Sequence, residues 1–370
     1  MSSFLQSAAP ATQQALVDYL NGLARVSGYA SALAATRLPV LTSPFPGYAE
    51  YADRYAVASA HALDWSQGVL PLTHAAPEAI VNLSALLQRQ SRAVAAALAT
   101  LADDPSDADA QAAVRDGFAA VEAELRQTSA ATDSLYEAVE AFAATISADA
   151  DSLSGLADAA VAAADGDADA VKRLAKVMNE LRDQISILDE IMTLDTLGKW
   201  DFKLFLVVVG LAAGIAFANP LAGFVVGILG ATFTSFVDIG GTSVTKEQVA
   251  ELQKEIDQVT AESGALTTDL GILHAVADSF RALSAQASGL SGSIAAVAAT
   301  WSGLTDEVNV VLADFEAAEA EVPESAAQAA ALLAAAGDEW SELEAAAAAL
   351  VQVEYVQQTA PSAVPPSPQH

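Results

Sequence analysis

The chain contains no cysteine among its 370 residues, which excludes disulfide bonds and thiolate chemistry. Aromatic residues are scarce, with 12 Phe, 7 Tyr and 4 Trp, whereas alanine dominates the apolar residues. Basic residues are also few, since 16 Lys and Arg stand against 47 Asp and Glu and leave a net charge of −31. Such a charge disfavours nucleic acid as a partner and provides no basic patch for anionic lipid headgroups. Any contact with a membrane must therefore be hydrophobic.

Motifs for catalysis and cofactor binding are missing as well. The four histidines, at positions 61, 74, 274 and 370, are far apart, and none lies in a HExxH or nucleophile-elbow context. The run from Asp165 to Asp169 begins like a calcium loop, but Ala170 replaces the required glycine and Lys176 the glutamate. An acidic turn is expected there instead. We expect no catalytic residue, no metal site, no cofactor and no small-molecule substrate.

One long stretch lacks charge altogether, covering the 34 residues between Lys203 and Asp238. Asn219 and Pro220 divide it into two arms, 204–218 and 221–237, which predicts a hairpin with its turn at these two residues. Each arm spans roughly 23 to 26 Å as a helix, less than the ~30 Å of a hydrocarbon core. The hairpin would cross a bilayer only if its flanks were drawn in, and would otherwise enter one leaflet. The residues expected to enter the membrane are Leu204, Phe205, Leu206, Val207, Val208, Val209, Leu211, Ile215, Phe217, Leu221, Phe224, Val225, Val226, Ile228, Leu229, Phe233 and Phe236.

Glycines within this stretch and aromatic and basic residues beside it bear on how it would contact a membrane. Trp200 and Lys203 are predicted to anchor it at the membrane interface, although Trp200 could instead cap the apolar head in the soluble fold. Glycines at GxxxG spacing favour close helix contacts in lipid, or could loosen the hairpin before insertion. Runs of β-branched residues leave its conformation open between a β-tongue and helices. The paired glycines are Gly210 with Gly214 and Gly223 with Gly227.

Long helical patterns flank the charge-free stretch on both sides. After it, apolar residues recur at spacings of three and four from Val249 to Val311, which predicts roughly 90 Å of helix. Before it, a similar stripe runs from Val114 to Leu156, is interrupted at 163–170 and resumes from Val171. The two tracts are expected to pack antiparallel and to display the hairpin at one end of a rod. Further helices are predicted at 10–36, 48–68, 76–102 and 324–357, with a turn and a new N-cap at 102–106.

Two segments carry a resemblance to a known family. Residues 49–87, AEYADRYAVASAHALDWSQGVLPLTHAAPEAIVNLSALL, form an amphipathic stretch that closes on Asp64 and Trp65, with a proline-marked step into the next helix. Residues 299–304, ATWSGL, carry a late tryptophan, Trp301. Together with the apolar hairpin between two long helices, these segments resemble the cytolysin A type of α-pore-forming toxin. The most similar members are the haemolysin BL and non-haemolytic enterotoxin components.

The resemblance implies a mainly all-α fold, an elongated antiparallel bundle of long helices with an apolar head hairpin inserted between the two longest. It divides the chain into tail-bundle helices and the first long tract (1–198), the head (199–243), the second long helix and C-terminal tail helix (244–358), and a disordered tail (359–370). It implies a secreted protein that inserts its head in a target-cell membrane and assembles with copies of itself or with homologous components. Residues 1–20 lack the features of a signal peptide, which leaves the export route open. Two alternatives remain open. One is a coiled-coil scaffold whose hairpin is permanently inserted in a membrane, and the other is a phage or secretion-system helical protein whose apolar core is buried in an oligomer.

Overall fold

The computed structural model describes residues 47–104, 106–163 and 246–317, together with two strands. Within these residues four α-helices follow one another, and the mainly α-helical fold class is confirmed. The helices and strands are α1 (Tyr48–Asp64), α2 (Ala75–Asp103), α3 (Ala108–Ala163), β1 (Phe205–Val209), α4 (Lys246–Ala317) and β2 (Glu354–Gln358). Also described are positions 14–15, 18–23, 25–27, 29–30, 33–34, 38, 171, 344 and 347–348.

The two longest helices, α3 with 56 residues and α4 with 72, form the frame of the molecule. They run antiparallel as predicted, since Ser284 donates a hydrogen bond to the carbonyl of Ala143 whereas His274 meets the later Asp158. The predicted stripes face the core wherever their side chains are described, apart from half-buried Leu156 and Leu266. Buried stripe residues include Val114, Phe118, Val121, Leu125, Leu135, Val139, Phe142, Ile146 and Leu153 on α3, and Leu270, Leu273, Val276, Phe280, Leu283, Leu290, Ile294, Val297, Trp301 and Leu304 on α4.

Helix α1 lies against α4 and is fixed to it by tyrosines. The hydroxyl of Tyr51 donates a hydrogen bond of 2.7 Å to the carbonyl of Leu273. The ring of Tyr55 meets that of Phe280 edge to face, with centroids 6.1 Å apart, the arrangement that aromatic pairs prefer. These contacts bury the polar end of one tyrosine without leaving it unpaired, so α1 is held in one register along α4.

The step from α1 to α2 is less regular than the single helix expected at 48–68. The α-helix ends at Asp64, and a π-helix (Trp65–Val69) and a 3-10 helix (Leu70–His74) follow. Pro71 accounts for part of this change, because it lacks the N–H that an α-helix would need there. Trp65 is fully buried at this step, where its indole N–H donates to the Ser27 hydroxyl at 2.9 Å and its ring lies 5.3 Å from that of Phe142.

The turn between α2 and α3 follows the prediction of a break and a new N-cap. Asp107 caps α3 by accepting a hydrogen bond from the N–H of Ala110 at 2.9 Å. Asp104 accepts hydrogen bonds from both the hydroxyl and the N–H of Ser106, and these bonds lower the pKa of the Asp104 carboxyl. Beyond the turn the two helices come very close, because a methyl group on Gly117 would lie only 2.5 Å from a methyl carbon of Val94.

One level of α4 is enclosed by protein on every side. From Thr268 to Ala277 all residues are buried except His274, which is half-buried. A helix with only one neighbour would show solvent on its far face at every second or third residue. At this level α4 is therefore the centre of the bundle and not part of its outer layer.

The two strands form a small parallel sheet. Phe205 of β1 pairs with Glu354 of β2, and the register continues to Val209 opposite Gln358. The expected C-terminal helix, 324–357, is wrong at its end, because Glu354–Gln358 is extended. Residues 344, 347 and 348 are helical, in agreement with the earlier part of that prediction.

Candidate functional site: the charge-free segment and the C-terminal strand

The candidate site is the start of the charge-free segment, which the structure describes as strand β1. Its five residues, Phe205 to Val209, all belong to the set predicted to enter a membrane. Sequence reasoning left this segment open between strand and helix, and at these five positions the backbone is extended. The remaining predicted residues lie outside the described part of the chain, namely Leu204, Leu211, Ile215, Phe217, Leu221, Phe224, Val225, Val226, Ile228, Leu229, Phe233, Phe236, the glycines Gly210, Gly214, Gly223 and Gly227, the turn at Asn219 and Pro220, and the flank at Trp200 and Lys203.

Strand β2 is a part of the site that sequence reasoning missed. It lies near the C terminus, almost 150 residues after β1, and the sequence pattern there had been interpreted as helix. A signal was present, because Val351, Val353 and Tyr355 alternate with polar residues, which is typical of a strand. The alanine-rich run just before it obscured this signal. A pairing over so long a distance has no local signature, and parallel strands need such a long connection.

The segment that leads into β2 is fixed to helix α2. The carboxylate of Glu344 accepts a hydrogen bond from the Ser84 hydroxyl at 2.9 Å and one from the Gln88 side-chain amide at 3.1 Å. Ser84 is fully buried, and so is Ala347, one helical turn beyond Glu344. Hydrogen bonds to a charged group are worth about 1.5–3 kcal/mol each when they are shielded from water. The C-terminal segment therefore has a definite point of attachment on α2.

This attachment limits where β1 can lie. Only five residues separate Ala348 from Glu354, and the six steps between their Cα atoms reach about 22 Å at most in an extended chain. The α2 residues beside Glu344 lie close to Val94, which contacts α3 at Gly117. Ala163, at the other end of α3, is roughly 70 Å further along that helix. Strand β1 is consequently nearer to α2 and the start of α3 than to the end of α3.

Two histidines and one arginine on neighbouring helices lie against acidic residues of α3. His61 of α1 contacts Asp149 at 2.7 Å, and His274 of α4 approaches Asp158 at 3.7 Å. Arg281 of α4 lies between Asp278 of its own helix, at 2.6 Å, and Asp151 of α3, at 4.0 Å. These contacts are partly exposed, and such pairs stabilise a fold only modestly. They assign His61 and His274 to contacts between helices.

The described residues show neither a clustered set of metal ligands nor a membrane-spanning helix. No group of three or more His, Asp or Glu side chains within them is close enough to hold a metal ion. None of the described helices has both the length and the apolar character needed to cross a bilayer. The sequence resembling a calcium loop lies outside the described residues.

Comparison with solved structures shows that this chain shares its fold with soluble components of tripartite α-pore-forming toxins and with related helical toxins. Soluble SmhB of the tripartite α-pore-forming toxin Smh from Serratia marcescens is similar with a TM-score of 0.68 and 12% identity, over 95% of this chain and 96% of SmhB. The Bacillus cereus HblL1 toxin component has a TM-score of 0.64 and 14% identity, over 93% and 96% of the two chains. The cytotoxin MakB from Vibrio cholerae has a TM-score of 0.68 and 13% identity, over 92% of each chain.

At these identities the likeness is one of fold. No protein-family model matches the sequence, and no curated protein is similar enough in sequence to match it. The resemblance drawn from residues 49–87 and from Trp301 is confirmed at the level of fold. Both tryptophans that carry it, Trp65 and Trp301, are fully buried and serve as core residues.

Proposed function

We propose that this chain is a component of an α-pore-forming toxin that acts together with partner components. It is secreted as a helical rod, exposes residues 204–237 at a target membrane, inserts them and assembles with homologous components or with copies of itself. The role is not enzymatic. In this proposal the chain has four regions. They are the tail helices with the first long tract (1–198), the head (199–243), the second long helix with the C-terminal tail helix (244–358), and the terminal tail (359–370).

The observation that carries the proposal is the charge-free segment between the two longest described helices of a fold shared with SmhB, HblL1 and MakB. Burying apolar surface is favourable by about 25 cal/mol per Å², so two apolar arms strongly favour leaving water. A charged side chain at mid-bilayer would oppose insertion by about 3 kcal/mol, and this segment contains none. The high negative charge of the rest of the chain keeps the rod itself out of lipid.

Dye release from liposomes and lysis of erythrocytes test this proposal. The protein, alone or with homologous components encoded beside it, is expected to release the dye. Val226→Asp, in the second arm, should reduce release by tenfold or more if its cost of about 3 kcal/mol falls on insertion. Val310→Asp is the matched control, because Val310 lies on α4 with 55% of its side chain exposed. Equal release by both variants, with helical circular dichroism retained, would contradict the role of the segment.

Purification without detergent distinguishes this function from that of a permanently anchored scaffold. A toxin component hides the charge-free segment before it meets a membrane, and is expected to remain monomeric in aqueous buffer. A scaffold with an inserted hairpin would expose a large apolar surface and aggregate. A protein that is recovered only from the membrane fraction would favour the scaffold.

A further inference from the structure

The pairing of β1 with β2 joins the proposed membrane-active segment to the far end of the chain. Five residues of each strand are in register, from Phe205 opposite Glu354 to Val209 opposite Gln358. In a parallel pair the hydrogen bonds join backbone groups, so the pairing makes few demands on the side chains of either strand. A polar strand, EYVQQ, can therefore hold an apolar one, FLVVV.

The attachment of Glu344 fixes the segment that leads into β2 close to helix α2. Ser84 and Gln88 hold the Glu344 carboxylate on α2, and the buried Ala347 fixes the next helical turn. From there only six residues lead to Glu354. A connection this short keeps β2 near α2, and because β1 belongs to the same chain the two strands meet at an effective concentration far above that of separate molecules. Strand pairing that would be weak between separate chains is stabilised in this way.

The paired state is incompatible with insertion of the segment. Within the hydrocarbon core every backbone N–H and C=O must be bonded inside the inserted structure, which only helices and closed barrels achieve. A two-stranded sheet has open edges, and its polar strand belongs to a segment fixed on α2. Residues 205–209 must leave β2 before they can enter a membrane as part of a helical hairpin.

We propose that the C-terminal strap, meaning strand β2 together with its attachment through Glu344, holds the start of the charge-free segment in an extended form until a membrane is reached. Separation of β1 from β2 is then a required step before insertion. This inference rests on the proposed function for its biological meaning. The pairing itself is testable without any measurement of lysis.

Hydrogen exchange of the protein in solution tests the pairing. Val356→Pro removes one N–H from the middle of β2 and is expected to abolish the protection of amides in 205–209, while α3 and α4 stay protected. Val364→Pro, the same substitution beyond β2, is the matched control and should leave that protection unchanged. Truncation before Glu354 provides a second variant that removes the strand without introducing proline. Unchanged protection of 205–209 in both the proline variant and the truncated protein would overturn the proposal.

A reversible cross-link tests the required separation. The natural chain has no cysteine, so Val207→Cys with Val356→Cys creates the only possible disulfide within one molecule, between residues that are partners in the strand register. The oxidised double variant is expected to release less dye than the same variant after reduction, whatever effect Val207→Cys itself has on insertion. Neither single cysteine variant should change its release on oxidation or reduction. Equal and measurable release by the oxidised and the reduced double variant would overturn the strap. Absence of release from the unmodified protein with its partners would instead count against the proposed function.

Discussion

Tyr51 and Tyr55 show how single side chains secure the centre of the bundle. Both lie on α1 with almost no exposed surface, and Tyr51 uses its hydroxyl to bond the backbone of α4. Burial raises the pKa of Tyr51 well above its ordinary value, with smaller contributions from Tyr55, Asp278 and Tyr48. Burial also raises the pKa of Tyr55 to about 12, against a lowering contribution from Ser59. Each tyrosine is thereby held in its neutral form.

These two pKa shifts predict how stability depends on alkaline pH. A tyrosine whose pKa is higher in the folded protein stabilises the fold fully below about pH 10, the value for an unfolded chain. That contribution is lost as the pH rises through the pKa of the folded state, about 12 for Tyr55. Ultraviolet absorbance of the phenolate should therefore show late-ionising tyrosines in the native protein. The late step near pH 12 should be absent from Tyr55→Phe.

The same titration in denaturant serves as the control, since there all 7 tyrosines should ionise together near pH 10. A native protein that titrates in a single step near pH 10 while it remains folded would contradict the burial of Tyr51 and Tyr55.

At this scale the sequence predicted core membership well and polar contacts poorly. The 3-4 spacing placed Phe280 and Leu290 in the core because helical periodicity directly reflects which face is buried. It even placed Thr132 there, which is buried because its hydroxyl bonds the carbonyl of Thr128. The contact between His61 and Asp149 could not be predicted, because it depends on how α1 and α3 are placed beside each other.

The element scale is governed by how closely the helices approach one another. Gly117 of α3 faces Val94 of α2 so closely that any larger side chain must displace it. Gly155 lies on the same helix with nothing within 4 Å of where its Cβ would be. The two glycines provide a matched pair, since one is required by helix contact and the other is not.

Replacement of each glycine by alanine is expected to have opposite effects on the free energy of unfolding. Gly155→Ala should stabilise the protein by about 0.5–1 kcal/mol, because alanine has the higher helix propensity. Gly117→Ala gains the same propensity but must overcome steric overlap that typically costs about 1–3 kcal/mol, so a net loss of about 1 kcal/mol is expected. Urea denaturation measures both values. A stabilised Gly117→Ala would show that α2 and α3 can separate without cost.

Replacement of Val94 gives a further test of the contact between Val94 and Gly117. Val94→Ala alone should destabilise the protein, because it truncates a buried side chain. In combination with Gly117→Ala the two changes should cost less than their sum, since the added methyl group fills part of the space that Val94 leaves. Strict additivity would argue that the two residues do not touch.

Elements were predictable where their pattern is local. The spans of α2 and α4 agree closely with the apolar stripes, and the turn and N-cap predicted at 102–106 are present, with the cap at Asp107 one residue later. The strands were not predicted in the same way. β1 lies in a segment that is apolar on every face, which removes the period that distinguishes strand from helix. β2 depends on a partner distant in sequence. Its pairing joins backbone groups and requires no particular side chains, so the sequence does not reveal it.

At the scale of the whole molecule, net charge is the dominant feature. The net charge of −31 reflects 47 acidic residues against 16 basic ones, so most acidic side chains have no cation to balance them. Like charges on a compact protein repel one another and destabilise it, while they also keep it soluble and separate from other copies. The proposed assembly at a membrane would have to overcome the same repulsion between subunits.

Salt is therefore expected to raise the thermal stability of the protein. Ions shorten the distance over which exposed charges interact from about 30 Å at 0.01 M to about 3 Å at 1 M. The midpoint of thermal unfolding at neutral pH should rise over this range by several degrees, as differential scanning calorimetry can measure. Near pH 4.1, where the net charge vanishes, the same addition of salt should have far less effect. An equal rise at both pH values would attribute the effect to something other than charge repulsion.

The enclosed level of α4, from Thr268 to Ala277, limits which surfaces the proposed assembly would use for contacts between subunits. A subunit can join neighbours on both sides only through surfaces that face outward, and this stretch has almost none. The other helices surround this buried segment. Contacts between subunits would therefore be formed by those helices, or by residues of α4 before Thr268 or after Ala277. We expect residues Thr268 to Ala277 to retain their side-chain contacts during assembly, while helices on the outside of the molecule change theirs.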